Sequence, residues 1–134
     1  LSPDGRRLAF LAAGDQRLRV LDLATGTVTR FAARAAHPRW SPDGRRVAYL
    51  APPGLPDFFP FREGWLTVLN VDGGAPVDVG PDAVFDAPVW SPDGQWLLAR
   101  MIRRGLTLVR LADGLAYPVP IDGATGEVGG AYRD

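Results

Sequence analysis

The sequence predicts an all-β fold, a β-propeller of four-stranded antiparallel blades with about three blades present, and three observations carry that reading. The first is a recurring turn: Ser2-Pro3-Asp4-Gly5, Ser41-Pro42-Asp43-Gly44 and Ser91-Pro92-Asp93-Gly94. The copies are spaced 39 and 50 residues apart, which brackets the ~40–45 residues of a four-stranded propeller blade. The second is the abundance of breakers, with 16 Gly and 13 Pro in 134 residues, which suits short strands joined by turns. The third is the choice of acid: 13 of the 15 carboxylates are Asp, a residue that disfavours helix interiors and favours turns.

Each unit can be read from its turn outward. Pro presets φ at the second turn position, Asp tolerates the third, and Gly supplies the positive φ that returns the chain to a strand. A short first strand ends at Trp40 or Trp90, with Pro38 and Pro88 two positions earlier; in the first unit only Leu1 remains, in the Trp position. Second strands follow the turns, beginning Arg6-Arg7-Leu8-Ala9-Phe10, Arg45-Arg46-Val47-Ala48-Tyr49 and Gln95-Trp96-Leu97-Leu98-Ala99. Third strands are expected over Arg17 to Leu23, Trp65 to Val71 and Leu106 to Leu111, each closed by a Gly-containing turn. The second and third strands are apolar on both sides, the pattern of strands covered on both faces. Weaker fourth strands at Thr27 to Phe31, Pro76 to Val79 and Leu115 to Val119 carry Arg30, Asp78 and Pro118, which suits an outer edge. The approximate repeat units are 1–36, 37–86 and 87–134.

Composition narrows the function classes. Formal net charge is zero, and all 15 basic residues are Arg. The densest basic cluster, Arg100, Arg103, Arg104 and Arg110, is offset by scattered Asp, so no strongly basic face is expected and nucleic acid is not an expected partner. Cysteine is absent, which excludes disulfides and thiolate metal sites. No apolar run approaches the ~18 residues of a membrane-spanning helix. The chain begins with Leu1, not Met, so the natural N-terminus is expected to lie elsewhere.

The pattern Trp-Ser-Pro-Asp-Gly, an apolar strand, then Val20-Leu21-Asp22-Leu23 or Val68-Leu69-Asn70-Val71-Asp72 before a Gly turn resembles the TolB-like (WD40-like, PD40) propeller repeat. Similar repeats occur in the propellers of prolyl-oligopeptidase-family peptidases and in actinobacterial lipoproteins of the LpqB type. The likeness runs from Leu1 to about Val119. It implies a non-catalytic scaffold that mediates protein–protein interaction, with a periplasmic or extracellular setting and a role at the cell envelope. TolB-like propellers have six blades, so these units are expected to be part of a larger ring or half of one completed by a second copy. The alternative is the propeller portion of a prolyl-oligopeptidase-like serine peptidase, whose catalytic domain is a separate unit.

The residues themselves offer little catalytic chemistry. All three serines lie in the repeated turns, there is no Gly-x-Ser-x-Gly elbow, and His37 is the single histidine. Turn chemistry accounts for Ser2, Ser41 and Ser91, and no catalytic residue is expected. His37, with no second His and no Cys, cannot anchor a zinc or copper site. Asp4, Asp43 and Asp93 belong to different blades and lack an interleaved calcium loop. No metal and no cofactor are expected; Gly123 to Gly130 lacks the Lys and the strand–helix setting of a phosphate loop.

The segment that breaks the repetition is Ala51 to Gly64, where the other units have only a few residues. It holds Phe58, Phe59, Phe61 and Arg62, on the side of the blades opposite the Ser-Pro-Asp-Gly turns. Arg34, His37, Asp82 and Phe85 are expected to share that side. Loops on a rigid scaffold concentrate binding residues, and exposed aromatics with Arg suit an interface. Phe58, Phe59, Phe61, Arg62, His37 and Phe85 are therefore the candidate partner-binding residues. A competing expectation is that the three Phe fold back as a plug.

Overall fold

The computed structural model describes residues 1–51 and 63–120 and is all-β among them. Among the described residues no helix is long and apolar enough to cross a membrane. Ten strands form in chain order: β1 (Arg7–Leu11), β2 (Arg17–Asp22), β3 (Val28–Arg34), β4 (Ala36–Trp40), β5 (Arg46–Ala51), β6 (Glu63–Asn70), β7 (Val77–Trp90), β8 (Trp96–Met101), β9 (Gly105–Arg110) and β10 (Ala116–Pro118). Every pairing is antiparallel between sequence neighbours.

The first blade is a three-stranded sheet in the order β1-β2-β3, and β1 is its edge. In the second blade β4 covers the corresponding edge of β5, and in the third the end of β7 covers β8. The expected outer strands of the first and third units form as β3 and β10, each at a sheet edge. The expected outer strand at Pro76 to Val79 forms over Val77–Val79, paired with β6 and with no β8 partner there; β7 then runs on to Trp90, pairs with β8 from Val84 onward, and joins the second and third blades into one sheet. Gly80-Pro81 reads as a breaker, but Gly80 at φ 87° only bends the strand. A Cβ at Gly80 would sit 2.8 Å from the Met101 methyl carbon at the end of a flexible side chain.

The core lies between blades. β5 is the clearest case, because its alternating side chains enter two separate clusters. Val47 and Tyr49 pack with Leu18, Ala35 and Leu69 toward the first blade. Ala48 and Leu50 pack with Leu66, Val84, Leu97 and Val109 toward the third. Burial pushes the Tyr49 phenol up to about 12, with the Asp78 carboxylate adding to the shift. The expectation that third strands are covered throughout is corrected at Leu23 and Trp65, which are 48% and 40% exposed.

Candidate interaction face

Strand connections divide the molecule into two faces. The Ser-Pro-Asp-Gly turns and the turns that follow β2, β6 and β9 lie on one, the turn face. Residues 12–16, the junction of β3 and β4, the middle of β7 and residues 102–104 lie on the other, the loop face.

The turn face is organised by a repeated set of hydrogen bonds. Ser2, Ser41 and Ser91 each donate through Oγ to the Asp two positions on, at 2.7, 2.5 and 2.6 Å. The same Oγ accepts from the backbone N–H five residues on, at 3.0, 3.1 and 3.0 Å. The serine hydroxyl first, and then a backbone N–H, hold the carboxyls of Asp4, Asp43 and Asp93 below the usual carboxylate range. Gly5, Gly44 and Gly94 take φ of 73°, 71° and 73°, as the turn reading requires. These serines are consumed by structure.

A second repeated device links one blade to the next. Arg7 donates through Nη2 to the Gly44 carbonyl at 2.6 Å, and its guanidinium lies 5.4 Å from the Trp40 ring centre. Arg46 repeats both contacts one blade on, donating to the Gly94 carbonyl at 2.8 Å and lying 4.9 Å from the Trp90 ring. Trp96 holds the equivalent position in the third blade. It packs against Tyr117 with ring centres 5.7 Å apart, and Arg110 lies beside both rings. In the sequence this latch shows only as an Arg at one repeat position, Arg7 and Arg46, replaced once by Trp96.

Between the first two blades the turn face opens into a cleft of about 630 Å³ lined by Asp4, Arg6, Arg7, Asp22, Ala24 and Asp72. Arg7 pairs with Asp72 at 3.3 Å, and Asp22 accepts from the backbone of Ala24 and Thr25. Asp4 is held by Ser2 and the Arg6 N–H. Arg7 and Asp72 thus serve one another, and Asp4 and Asp22 are engaged by their own turns. Among the described residues, no three His, Cys, Asp or Glu side chains converge on a point that could hold a metal ion.

The loop face is different. Gln16, His37 and Asp86, the described non-glycine residues with left-handed φ (56°, 53° and 54°), all lie there. His37 and Asp86 sit where β4 and β7 shift register against β5 and β8, so each is a bulge residue beside the blade's inner edge. His37 is exposed, Phe85 is half-buried opposite Arg100, and the Arg100 guanidinium pairs with Asp86 at 3.6 Å. Arg103 and Arg104 are exposed, whereas Arg110 belongs to the turn-face end and pairs with Asp113 at 2.6 Å. The expected cluster of four Arg is thus split between the two faces. Trp65 and Ile102 present large apolar surface on the loop face, 40% and 39% exposed. Trp65 gives no signal of this in the sequence because it opens an apolar run, and Ile102 reads only as part of a short loop. Phe58, Phe59, Phe61 and Arg62 lie outside the described residues.

No family model matches the chain, and no curated protein matches it. Solved structures do. TolB from Acinetobacter baumannii superposes with a TM-score of 0.66 at 22% identity, over 86% of this chain and 29% of that one. A putative TolB from Agrobacterium tumefaciens gives 0.62 at 20% identity, over 87% of this chain and 46% of that one. The β-propeller domain of the Trilobed protease from Pyrococcus furiosus gives 0.61 at 14% identity, over 84% and 38%. The chain therefore spans less than half the length of these structures, and at such identities the likeness establishes the fold. That fold is a partial β-propeller of the kind seen in TolB.

Proposed function

We propose that these blades form a non-catalytic interaction scaffold that engages a protein partner through the loop face. One observation carries the reading. The three left-handed non-glycine residues gather on that face, together with exposed Trp65 and Ile102. Backbone held in a sparsely populated region costs of order 1–3 kcal/mol per residue and is concentrated at functional sites. Exposed Trp is among the side chains that anchor protein interfaces. The turn face also exposes Leu23 and Leu115, but it carries none of the described non-glycine residues with left-handed φ. The likeness to TolB supports the same reading and extends it to a periplasmic or extracellular setting.

Photocrosslinking tests the assignment. Benzoylphenylalanine at position 65 or 102 should give discrete crosslinked species in the producing cells, and the same group at Ala24 or Ala112 on the turn face should not. Equal labelling from both faces, or from the turn face alone, would remove the basis for the reading.

A second reading has a specific support: structures that superpose on this chain include the propeller of the Trilobed protease and the tricorn protease. In that case the blades accompany a peptidase domain. The coding sequence on either side of these residues separates the two readings, because a Gly-x-Ser-x-Gly elbow on a strand–helix turn would mark a hydrolase.

A further inference from the structure

An aspartate followed by glycine can rearrange, because glycine has no Cβ to keep its peptide nitrogen away from the preceding side-chain carboxyl. The chain has six such pairs, at Asp4, Asp43, Asp72, Asp93, Asp113 and Asp122, and the first five are described. Four of those five are locked by two contacts. Gly5, Gly44 and Gly94 each donate their N–H to the serine carbonyl three residues back at 2.9 Å, and Gly114 donates to the Arg110 carbonyl at 2.8 Å. The carboxylates of Asp4, Asp43, Asp93 and Asp113 each accept from the backbone N–H two residues on, at 3.0 Å. A side-chain partner first (the turn serine, or Arg110 for Asp113) and this N–H second hold all four carboxyls below the usual carboxylate range. An ionised carboxylate so held is a poor electrophile, since the loss of water requires the neutral acid.

Asp72 has neither lock. The Gly73 N–H donates to the Asn70 carbonyl at 3.3 Å, the longest of the five. Among the described residues no backbone N–H bonds the Asp72 carboxylate. Its partner is the Arg7 guanidinium at 3.3 Å, in a pair where the Asp72 side chain is 62% exposed. Ion pairs this exposed hold a side chain weakly. Gly73 and Gly74 follow with φ of 150° and 104°, and neither has any atom within 4 Å of a built Cβ, so the turn is open around the reacting groups.

We propose that Asp72 is a site of spontaneous isoaspartate formation, a covalent modification of the turn between β6 and β7. The Gly73 peptide nitrogen attacks Asp72 Cγ. Its proton and the carboxyl hydroxyl leave together as water, and a succinimide ring closes. One water then adds back at either ring carbonyl. Addition at the main-chain carbonyl breaks its bond to the Gly73 nitrogen and leaves the chain running through Cγ. The water lost equals the water gained and nothing is oxidised, so mass is unchanged. The product carries an extra methylene in its backbone and a carboxylate one carbon closer to the main chain. That shift draws the carboxylate away from Arg7 and removes the ion pair between the first and second blades.

Incubation of the folded chain at neutral pH and body temperature is the test. Isoaspartate is read by resistance to endoproteinase Asp-N and by electron-transfer fragmentation of the peptides. It should accumulate at Asp72, and the four locked sites should react about tenfold or more slowly, because each must first open its turn. In urea the contrast should collapse, with all five sites reacting at comparable rates. Ser41→Ala removes the hydroxyl partner of Asp43 and should raise its rate in the folded chain toward that of Asp72. Asp72→Glu, whose ring would be six-membered and slow to close, should abolish the signal in this turn. Isoaspartate spread evenly over the five sites of the folded chain, or greater at any locked site, overturns the proposal. So does a rate at Asp72 that folding slows as strongly as it slows the others. The comparison of folded chain with urea needs no variant, so it stands whether or not Ser41→Ala folds. Asp72 lies on the turn face, so this site and the proposed function fail separately.

Discussion

The first and second blades begin their second strands almost identically, with Arg6-Arg7-Leu8-Ala9-Phe10-Leu11 against Arg45-Arg46-Val47-Ala48-Tyr49-Leu50, yet they are buried very differently. Val47, Ala48, Tyr49 and Leu50 are 0–1% exposed, while every residue of β1 is only half-buried. Both strands sit behind the same turn and pair with the following strand in continuous register. What differs is the neighbours. β5 has β4 along its edge and a blade against each face, and β1 has neither an inner strand nor a described blade on its far side. In a repeat fold the sequence writes a strand that is ready to be buried, and adjacency decides whether it is.

The largest effect that can break this comparison is a matched pair of truncations. Leu50 and Leu11 hold the same repeat position. Leu50→Ala removes a fully buried side chain from the cluster between the second and third blades and should cost about 2–5 kcal/mol. Leu11→Ala should cost about 1 kcal/mol, because much of its surface is already in contact with water. Urea unfolding of both variants is the check. Equal losses would mean that β1 is as enclosed in solution as β5.

A smaller effect sharpens the same contrast at the latch. Arg46→Ala removes a hydrogen bond to the Gly94 carbonyl and a stacking contact with Trp90, and Arg7→Ala removes the counterparts at Gly44 and Trp40. Each should cost about 1–2 kcal/mol. Their consequences differ in extent. Arg7→Ala should raise amide exchange in β1 to β3 while leaving β8 and β9 protected, since only the first blade depends on that latch. Arg46→Ala should loosen both flanking blades. Uniform exchange across all three blades in either variant would contradict blade-by-blade coupling.

Much of this architecture was legible in the residues because it is local. Ser-Pro-Asp-Gly encodes its own turn, and the turns punctuate the apolar runs that become β5, β6, β8 and β9. What failed to show was whatever depends on a neighbour. The outer strand expected to end at Val79 continues through Gly80-Pro81, where β7 breaks register with β6 before it pairs with β8. Trp65 reads as a covered residue because it opens an apolar strand, yet it is 40% exposed. Arg7 and Arg46 read as generic charge until the next blade brings Trp40 and Trp90 beneath them. Of the candidate site, His37 and Phe85 fall on the loop face as expected, and the Phe58 to Arg62 segment lies outside the described residues. The left-handed backbone of His37 and Asp86 had no signal in composition, since it arises from a register shift between strands.

The smallest effect is the one that should not differ between blades. Asp4 and Asp43 make the same contacts, a hydrogen bond from Ser Oγ and one from the backbone N–H two residues on. Both carboxyls are held below their ordinary value of 3.8 in the folded chain. A carboxyl depressed on folding adds stability that is complete above its unfolded pKa and fades as pH falls through the lower folded value. Each turn should therefore contribute fully at pH 6 and weaken progressively below about pH 4. Asp4→Asn and Asp43→Asn should each flatten that acid limb by the same small amount, measured as the urea midpoint between pH 6 and pH 3. Because the turn is stabilised from within, the open first blade should lose no more than the enclosed second. A larger acid sensitivity at Asp43 would show that its turn draws on the Arg7 latch to Gly44, making even this most local element of the repeat a property of adjacent blades.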